Sequence, residues 1–273
     1  MFKKIWNWFK NLFESEVNEI KVPETPVNIP QIPDPRPTTN SYTLAQLMPF
    51  SIFHFESLKE LKAYIEANPH IKLVNLELDQ MSKEACNYLL SKNIKICAYI
   101  SASYEEWRED SKDYPKSAKG KKMSGWDELW GNICDPALQE FLAKRFDKAK
   151  LLGCHFVEVD NVDVALNEVG FSVNKKQNVD AIRKLASIAH SKGLGYFLKN
   201  TPDLAKDLVS FVEGAFVEEA QEYEETDKYA SFVSAHKPLF GLEYGKAKGL
   251  RGWYVHSQSD YFDKSYKAYY TGY

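Results

Sequence analysis

From about Asn40 onward the chain alternates short apolar runs with segments of helical periodicity. The runs are Ser51–Phe55, Lys72–Leu78, Ile94–Ser101, His155–Asp160, Gly195–Asn200, Gly214–Glu218, Pro238–Glu243 and Gly252–His256. Between the runs, Asp135-Pro136 supplies an N-cap and a first-turn proline, and Gly153 supplies the stop. Leu138, Phe141, Leu142, Phe146 and Ala149 recur at helical spacing inside those limits. A second helix is predicted from about Val179 to Lys192, stopping at Gly193. Eight strands alternating with helices predict an α/β fold, a (β/α)8 TIM barrel over residues 41–273.

Ahead of the barrel the pattern changes. Phe2, Ile5, Trp6, Phe9, Leu12 and Phe13 fall on one helical face, with Lys3, Lys4, Asn7, Lys10 and Asn11 on the other. This predicts a basic amphipathic helix within residues 1–20. Two readings stay open for residues 1–13: an anchor on an anionic membrane surface, or a helix docking on its own domain or on a protein partner. The stretch lacks the uninterrupted apolar centre and small-residue cleavage site of a classical signal peptide. Pro23, Pro26, Pro30, Pro33, Pro35 and Pro37 are half of the 12 prolines and mark residues 21–40 as an extended, semi-rigid linker. The end is tyrosine-rich, from Tyr261 to Tyr273.

Charge and composition narrow the function. The 35 Lys+Arg against 38 Asp+Glu give a net charge of −3, so no blanket attraction to nucleic acid is expected. No apolar run approaches the roughly 20 residues of a membrane-spanning helix. Cys86, Cys97, Cys134 and Cys154 form no CxxC pair, and the six histidines are scattered. Buried thiols are expected, spacing alone leaves a disulfide open, and neither a metal site nor a cofactor is expected.

The chemistry of a barrel sits at the C-terminal ends of its strands. Those ends carry Glu77/Asp79, Ser101, Glu158/Asp160, Lys199/Asn200, Glu218/Glu219 and Glu243. Acids converging on one mouth repel, and Lys199, Arg108, a cationic substrate or a metal would offset that. Paired carboxylates without a cluster of His, Cys or Ser nucleophiles suggest glycoside hydrolysis. Glu158 and Asp160, two apart on a strand, share a face, and Glu218 ends a strand two along. Tyr99, Tyr104, Trp107, Trp126, Trp130, Tyr223, Tyr244 and Trp253 lie near these ends and suit either sugar stacking or the core.

Several of these residues belong to runs that resemble one family. Tyr99-Ile100-Ser101-Ala102-Ser103-Tyr104-Glu105-Glu106-Trp107-Arg108, Gly125-Trp126-Asp127-Glu128-Leu129-Trp130 and Val157-Glu158-Val159-Asp160-Asn161-Val162-Asp163 are followed in order by Leu198-Lys199-Asn200, Glu218-Glu219, Lys237-Pro238 and Glu243-Tyr244. Together they are similar to the motifs of glycoside hydrolase family GH114, the endo-α-1,4-polygalactosaminidases, over about Ser41 to Tyr244. The resemblance implies a TIM barrel that cleaves α-1,4-linked galactosamine-rich polysaccharide. It implies Glu218 as general acid/base and Asp160 as nucleophile or oxocarbenium stabiliser. Glu158, Asn161, Asp163, Tyr99, Ser101, Arg108, Trp126, Lys199, Asn200, Glu219, Glu243 and Tyr244 would orient the pair or bind sugar. An acid-rich mouth would attract the ammonium groups of such a polymer, so a fully N-acetylated chain should be the poorer substrate. A polysaccharide substrate also implies an extracytoplasmic, cell-surface or peripheral-membrane location.

The chain departs from the family pattern at Val159 (proline there), Val217 (asparagine), Ala220 (cysteine) and Phe197 (glycine). The loop at Ser101–Ser103 is one residue short, and a tryptophan ahead of Gln46-Leu47 is missing. These departures support a second reading, a weakly active or inactive carbohydrate-binding or assembly protein on the same fold. A third reading is metal-assisted hydrolysis by the clustered acids.

Overall fold

The computed structural model describes residues 42–48, 50–52, 55, 57–258 and 267–272. The N-terminal amphipathic pattern and the proline-rich segment lie outside the described residues. The strands are β1 (Phe50–Ile52), β2 (Leu73–Glu77), β3 (Lys95–Ser101), β4 (Lys119–Lys122), β5 (Leu129–Gly131), β6 (Phe156–Asp160), β7 (Gly195–Lys199), β8 (Gly214–Glu218), β9 (Leu239–Glu243), β10 (Tyr254–Ser257) and β11 (Lys267–Tyr270). One sheet runs β1-β2-β3-β6-β7-β8-β9-β10-β11, and β4 and β5 form a separate hairpin. Every neighbour pair from β1 to β10 is parallel, and β11 lies antiparallel on β10. The eight parallel strands fall on the eight predicted runs. The hairpin and β11 are additions.

The sheet curls, and its two cores show it. On the concave side Leu73, Cys97, Phe156, Phe197, Phe216, Phe240, Leu242 and Tyr254 form one cluster with Leu47. These residues come from β2, β3 and β6 to β10, and the rings of Phe197 on β7 and Phe240 on β9 lie 5.9 Å apart across the intervening β8, closer than two strand spacings of a flat sheet. The convex side packs Val74, Ile96, Ala98, Val157, Leu198, Ala215 and Val255 in a second core that includes residues of the helices. Among the described residues no ladder joins β1 to β10. The observed unit is therefore a curled, eight-strand parallel sheet of TIM-like layout, where the sequence predicted a closed ring.

Aromatic rings fill the concave side because glycines make room for them. Gly195 pairs with Phe156 and Gly214 with Phe197 across neighbouring strands. A Cβ on Gly195 would lie 2.5 Å from a Phe156 ring carbon, and one on Gly214 would strike Phe197 and the Pro238 carbonyl.

The helices are α1 (Leu44–Leu47), α2 (Leu58–Ala67), α3 (Lys83–Ser91), α4 (Pro136–Leu152), α5 (Lys175–Ser191), α6 (Ala205–Leu208) and α7 (Ala230–Ser234). In α4 the Asp135 side chain accepts from the Ala137 N–H, and Gly153 ends the helix in the left-handed region at φ 88°. Helix α5 starts a turn earlier than its apolar pattern predicts, because Asn174 and Gln177 form a capping box. All four cysteines are free. Cys86, Cys97 and Cys154 are buried, and burial pushes the Cys86 thiol up to about 12.

Candidate active site

The alternation that buries Phe156, Phe197 and Phe216 on the concave side carries Glu158/Asp160, Lys199 and Glu218 to the same side, one layer higher. Lys199 is the hub. Its Nζ lies 3.2 Å from Glu158 Oε1, 3.4 Å from Asp160 Oδ2 and 3.0 Å from Glu218 Oε1. Three carboxylates thus converge on one buried ammonium. Burial alone would drive its proton off, but Asp160, Glu218 and Glu158 hold the pKa well above the ordinary lysine value.

The three acids differ in access. The Glu158 side chain is 0% exposed, whereas Asp160 is 20% and Glu218 28% exposed. Only the latter two can meet a ligand. Burial pushes Glu158 up to about 7, against the pull of Lys199. Its second oxygen accepts from the Asn75 side-chain amide. Asp160 is fixed at both oxygens: Tyr99 donates to Oδ2 at 2.9 Å and the Asn161 backbone N–H to Oδ1 at 2.7 Å. For Glu218, the backbone N–H donates to Asn200 Oδ1 at 2.9 Å.

The chain turns the same way after each of these strands. Asn161, Asn200 and Glu219, the first residues past β6, β7 and β8, have φ of 60°, 48° and 55°. Non-glycine residues in this region carry about 1–3 kcal/mol of strain each, and asparagine tolerates it best. The sharp turn keeps the strand-terminal acids at the rim. Asn161 also donates to Ser101 Oγ at 3.0 Å, and the Ser101 and Ser103 hydroxyls lie 2.5 Å apart.

Arg108 stands apart from this centre. It is buried and pairs with Glu77 at 2.8 Å, Asp79 at 2.7 Å and Glu105 at 2.7 Å. Asp79 is further held by Lys148 at 3.0 Å. Burial raises the Asp79 carboxyl, but Arg108, then Arg145 and Lys148, override it and hold the group well below the usual carboxylate range. This network ties the β2 end to the loop after β3.

The structure brings together Tyr99, Ser101, Glu158, Asp160, Asn161, Lys199, Asn200 and Glu218. Others lie further out. Glu243 shares the convex face with Leu239, and its carboxylate accepts from the Gln221 N–H at 3.0 Å, pinning the turn after β8. Asp163 accepts from Asn167 at 2.8 Å, and burial raises its carboxyl. Burial and Glu218 raise Glu219. Trp126, at the hairpin tip, is 60% exposed, and Tyr244 packs against the concave aromatic cluster.

The substituted side chains of the family pattern lie off the mouth, whereas the shortened Ser101–Ser103 loop lies at it. Val159 and Val217 belong to the convex, helix-facing core, and Phe197 lies in the aromatic floor beneath Lys199. A family model for the glycoside-hydrolase family GH114 matches residues 37–271. The chain belongs to GH114. The crystal structure of Aspergillus fumigatus Ega3 in complex with galactosamine matches with a TM-score of 0.73 at 22% identity, covering 84% of this chain and 98% of that one. The glycoside hydrolase domain of PelA from Pseudomonas aeruginosa gives a TM-score of 0.57 at 14% identity, covering 78% and 94%. At these identities the likeness is one of fold. No curated protein matches the chain.

Within this GH114 site three contributors escaped the sequence reading. Asn75 holds Glu158, Ser103 bridges Ser101 to the hairpin, and Glu128 accepts from Ser103 Oγ at 2.5 Å. Asn75 was reachable, because it lies two residues before Glu77 and shares its face. Glu128 sat inside the Gly125–Trp130 motif, but nothing in the sequence placed that hairpin over β6.

Proposed function

We propose that this protein is an endo-acting glycoside hydrolase that cleaves α-1,4-linked, galactosamine-rich polysaccharide, with Asp160 and Glu218 as its carboxylate pair. Lys199 carries this reading. One Asp160 oxygen and one Glu218 oxygen lie 3.4 and 3.0 Å from the same nitrogen, so they are no further apart than those distances combined. We read the pair, held on one ammonium, as acting by double displacement with retention. Glu218 protonates the leaving glycosidic oxygen while Asp160 attacks the anomeric carbon. Glu218 then takes a proton from the water that releases the sugar. The Tyr99 hydroxyl, the Asn161 N–H and the Lys199 ammonium hold the Asp160 carboxylate in place, as a nucleophile needs. The galactosamine in the Ega3 complex supports the sugar class. The off-mouth positions of Val159 and Val217 support an active site over an emptied one.

The test is reducing-end release from partly deacetylated galactosamine polymer. Wild type should release ends, and Asp160→Asn and Glu218→Gln should each lose about 10³-fold or more with melting unchanged. The first-formed product should keep the substrate's anomeric configuration. No release by wild type would sink the reading.

We also propose that residues 1–13 and the linker hold the barrel at a membrane surface, which gives the enzyme its polysaccharide at the cell envelope.

A further inference from the structure

Two groups of acids around the mouth each share one buried cation. Glu77, Asp79 and Glu105 share Arg108. Glu158, Asp160 and Glu218 share Lys199. Glu128, like Glu219, Glu243 and Asp163 further out, belongs to neither of these groups, and of the four it alone touches Asn161 beside Asp160. Its Oε2 takes Ser103 Oγ at 2.5 Å and Asn161 Nδ2 at 3.4 Å, both uncharged donors. Among the described residues no ion pair joins it to a lysine or arginine, and it is only half-buried.

Its position is specific. Asn161 contacts Glu128 through its side-chain amide and Asp160 through its backbone N–H at 2.7 Å. One residue thus separates this carboxylate from the proposed nucleophile. The β4–β5 hairpin that carries Glu128 is anchored on both sides: the Lys121 N–H donates to the Val169 carbonyl at 2.8 Å, and Tyr104 and Leu129 exchange backbone hydrogen bonds. The group is held at the mouth by backbone.

We propose that Glu128 is the specificity-determining residue that reads the amine of the substrate, its carboxylate receiving the ammonium group of a galactosamine unit next to the cleaved bond. The inference rests on the proposed galactosamine substrate and assigns its recognition to one side chain. An acid without a cationic partner gains more from an incoming ammonium than one already paired. An N-acetyl group brings no charge and would leave Glu128 as it was.

The charged groups facing Glu128 point the same way. Burial, then the neighbouring Glu105, push it up to about 7, with Asp160 adding to this and the Ser103 hydroxyl and Arg108 opposing. A bound ammonium would draw the proton off, so recognition of the amine is present above that range and weakens below it.

The experiment measures binding, by NMR titration, of D-galactosamine and D-galactose to full-length wild type and Glu128→Gln. Wild type should prefer galactosamine by roughly tenfold, the scale of one charge-assisted hydrogen bond. Glu128→Gln should lose that margin and keep its galactose affinity, which shows the site intact. In wild type the margin should narrow from about pH 7 to about pH 5.5, where a sugar amine stays mostly charged. The proposal is overturned by a wild type that binds neither sugar or shows no margin, by a margin that survives in Glu128→Gln or is flat with pH, or by a variant that loses both sugars equally. Polymer cleavage is scored separately. Its absence would sink the hydrolase reading and leave the binding margin legible.

Discussion

Glu158 is a fully buried carboxyl beside a shared ammonium, and this has a cost in stability that depends on pH. Burial lifts it to about 7 in the folded protein, against about 4.3 in an unfolded chain. The folded state therefore binds more protons between those values. The stability it contributes is fully present below about pH 4.3 and is lost as pH rises through about 7. Urea denaturation should give a smaller slope of stability with pH over that window for Glu158→Gln than for wild type; equal slopes would refute the assignment. This residue was legible in part. Its place at a strand end and its shared face with Asp160 followed from two-residue alternation. Its lack of exposure did not, because that depends on Asn75 and Lys199 closing over it from two other strands.

At the scale of elements, the aromatic floor decides how high the reacting groups sit. Phe156, Phe197, Phe216 and Phe240 pack edge-on, tilted or stacked with ring centroids 4.9 to 5.9 Å apart. Gly195 and Gly214 supply the space. Gly195→Ala should destabilise the protein by about 1–3 kcal/mol through overpacking against Phe156, read as a lower urea midpoint at unchanged slope. The eight parallel strands could be read from the sequence because each is a continuous apolar run. Helix α4 could be read because Asp135, Pro136 and Gly153 mark its ends. The hairpin could not. Lys119–Lys122 reads Lys-Gly-Lys-Lys, with no apolar alternation, and the hairpin is held by backbone bonds from Lys121 to Val169 and between Leu129 and Tyr104, distant in sequence. Arg108 shows the reverse limit: its strand-end neighbourhood implied the mouth, but three acids take it into a structural network.

At the scale of the whole molecule, a TIM-like unit with an acid-rich mouth follows a basic amphipathic segment and a proline-rich linker. A tethered barrel should co-sediment with vesicles of anionic phospholipid, and removal of residues 1–20 should abolish that while leaving hydrolysis in solution unchanged. Co-sedimentation equal in both forms would assign residues 1–13 elsewhere. The sheet order has a consequence for how the chain is made. β6, β7 and β8 follow one another along the main sheet and in the chain, so Glu158, Asp160, Lys199 and Glu218 meet over single crossover connections, residues 161–194 and 200–213. Bringing β10 back towards β1 closes a far longer one. During synthesis two acids emerge first, the ammonium next and the third acid after it, so each new charge finds its counterpart already waiting. The part of the molecule that would do chemistry can settle while the last strands are still on the ribosome.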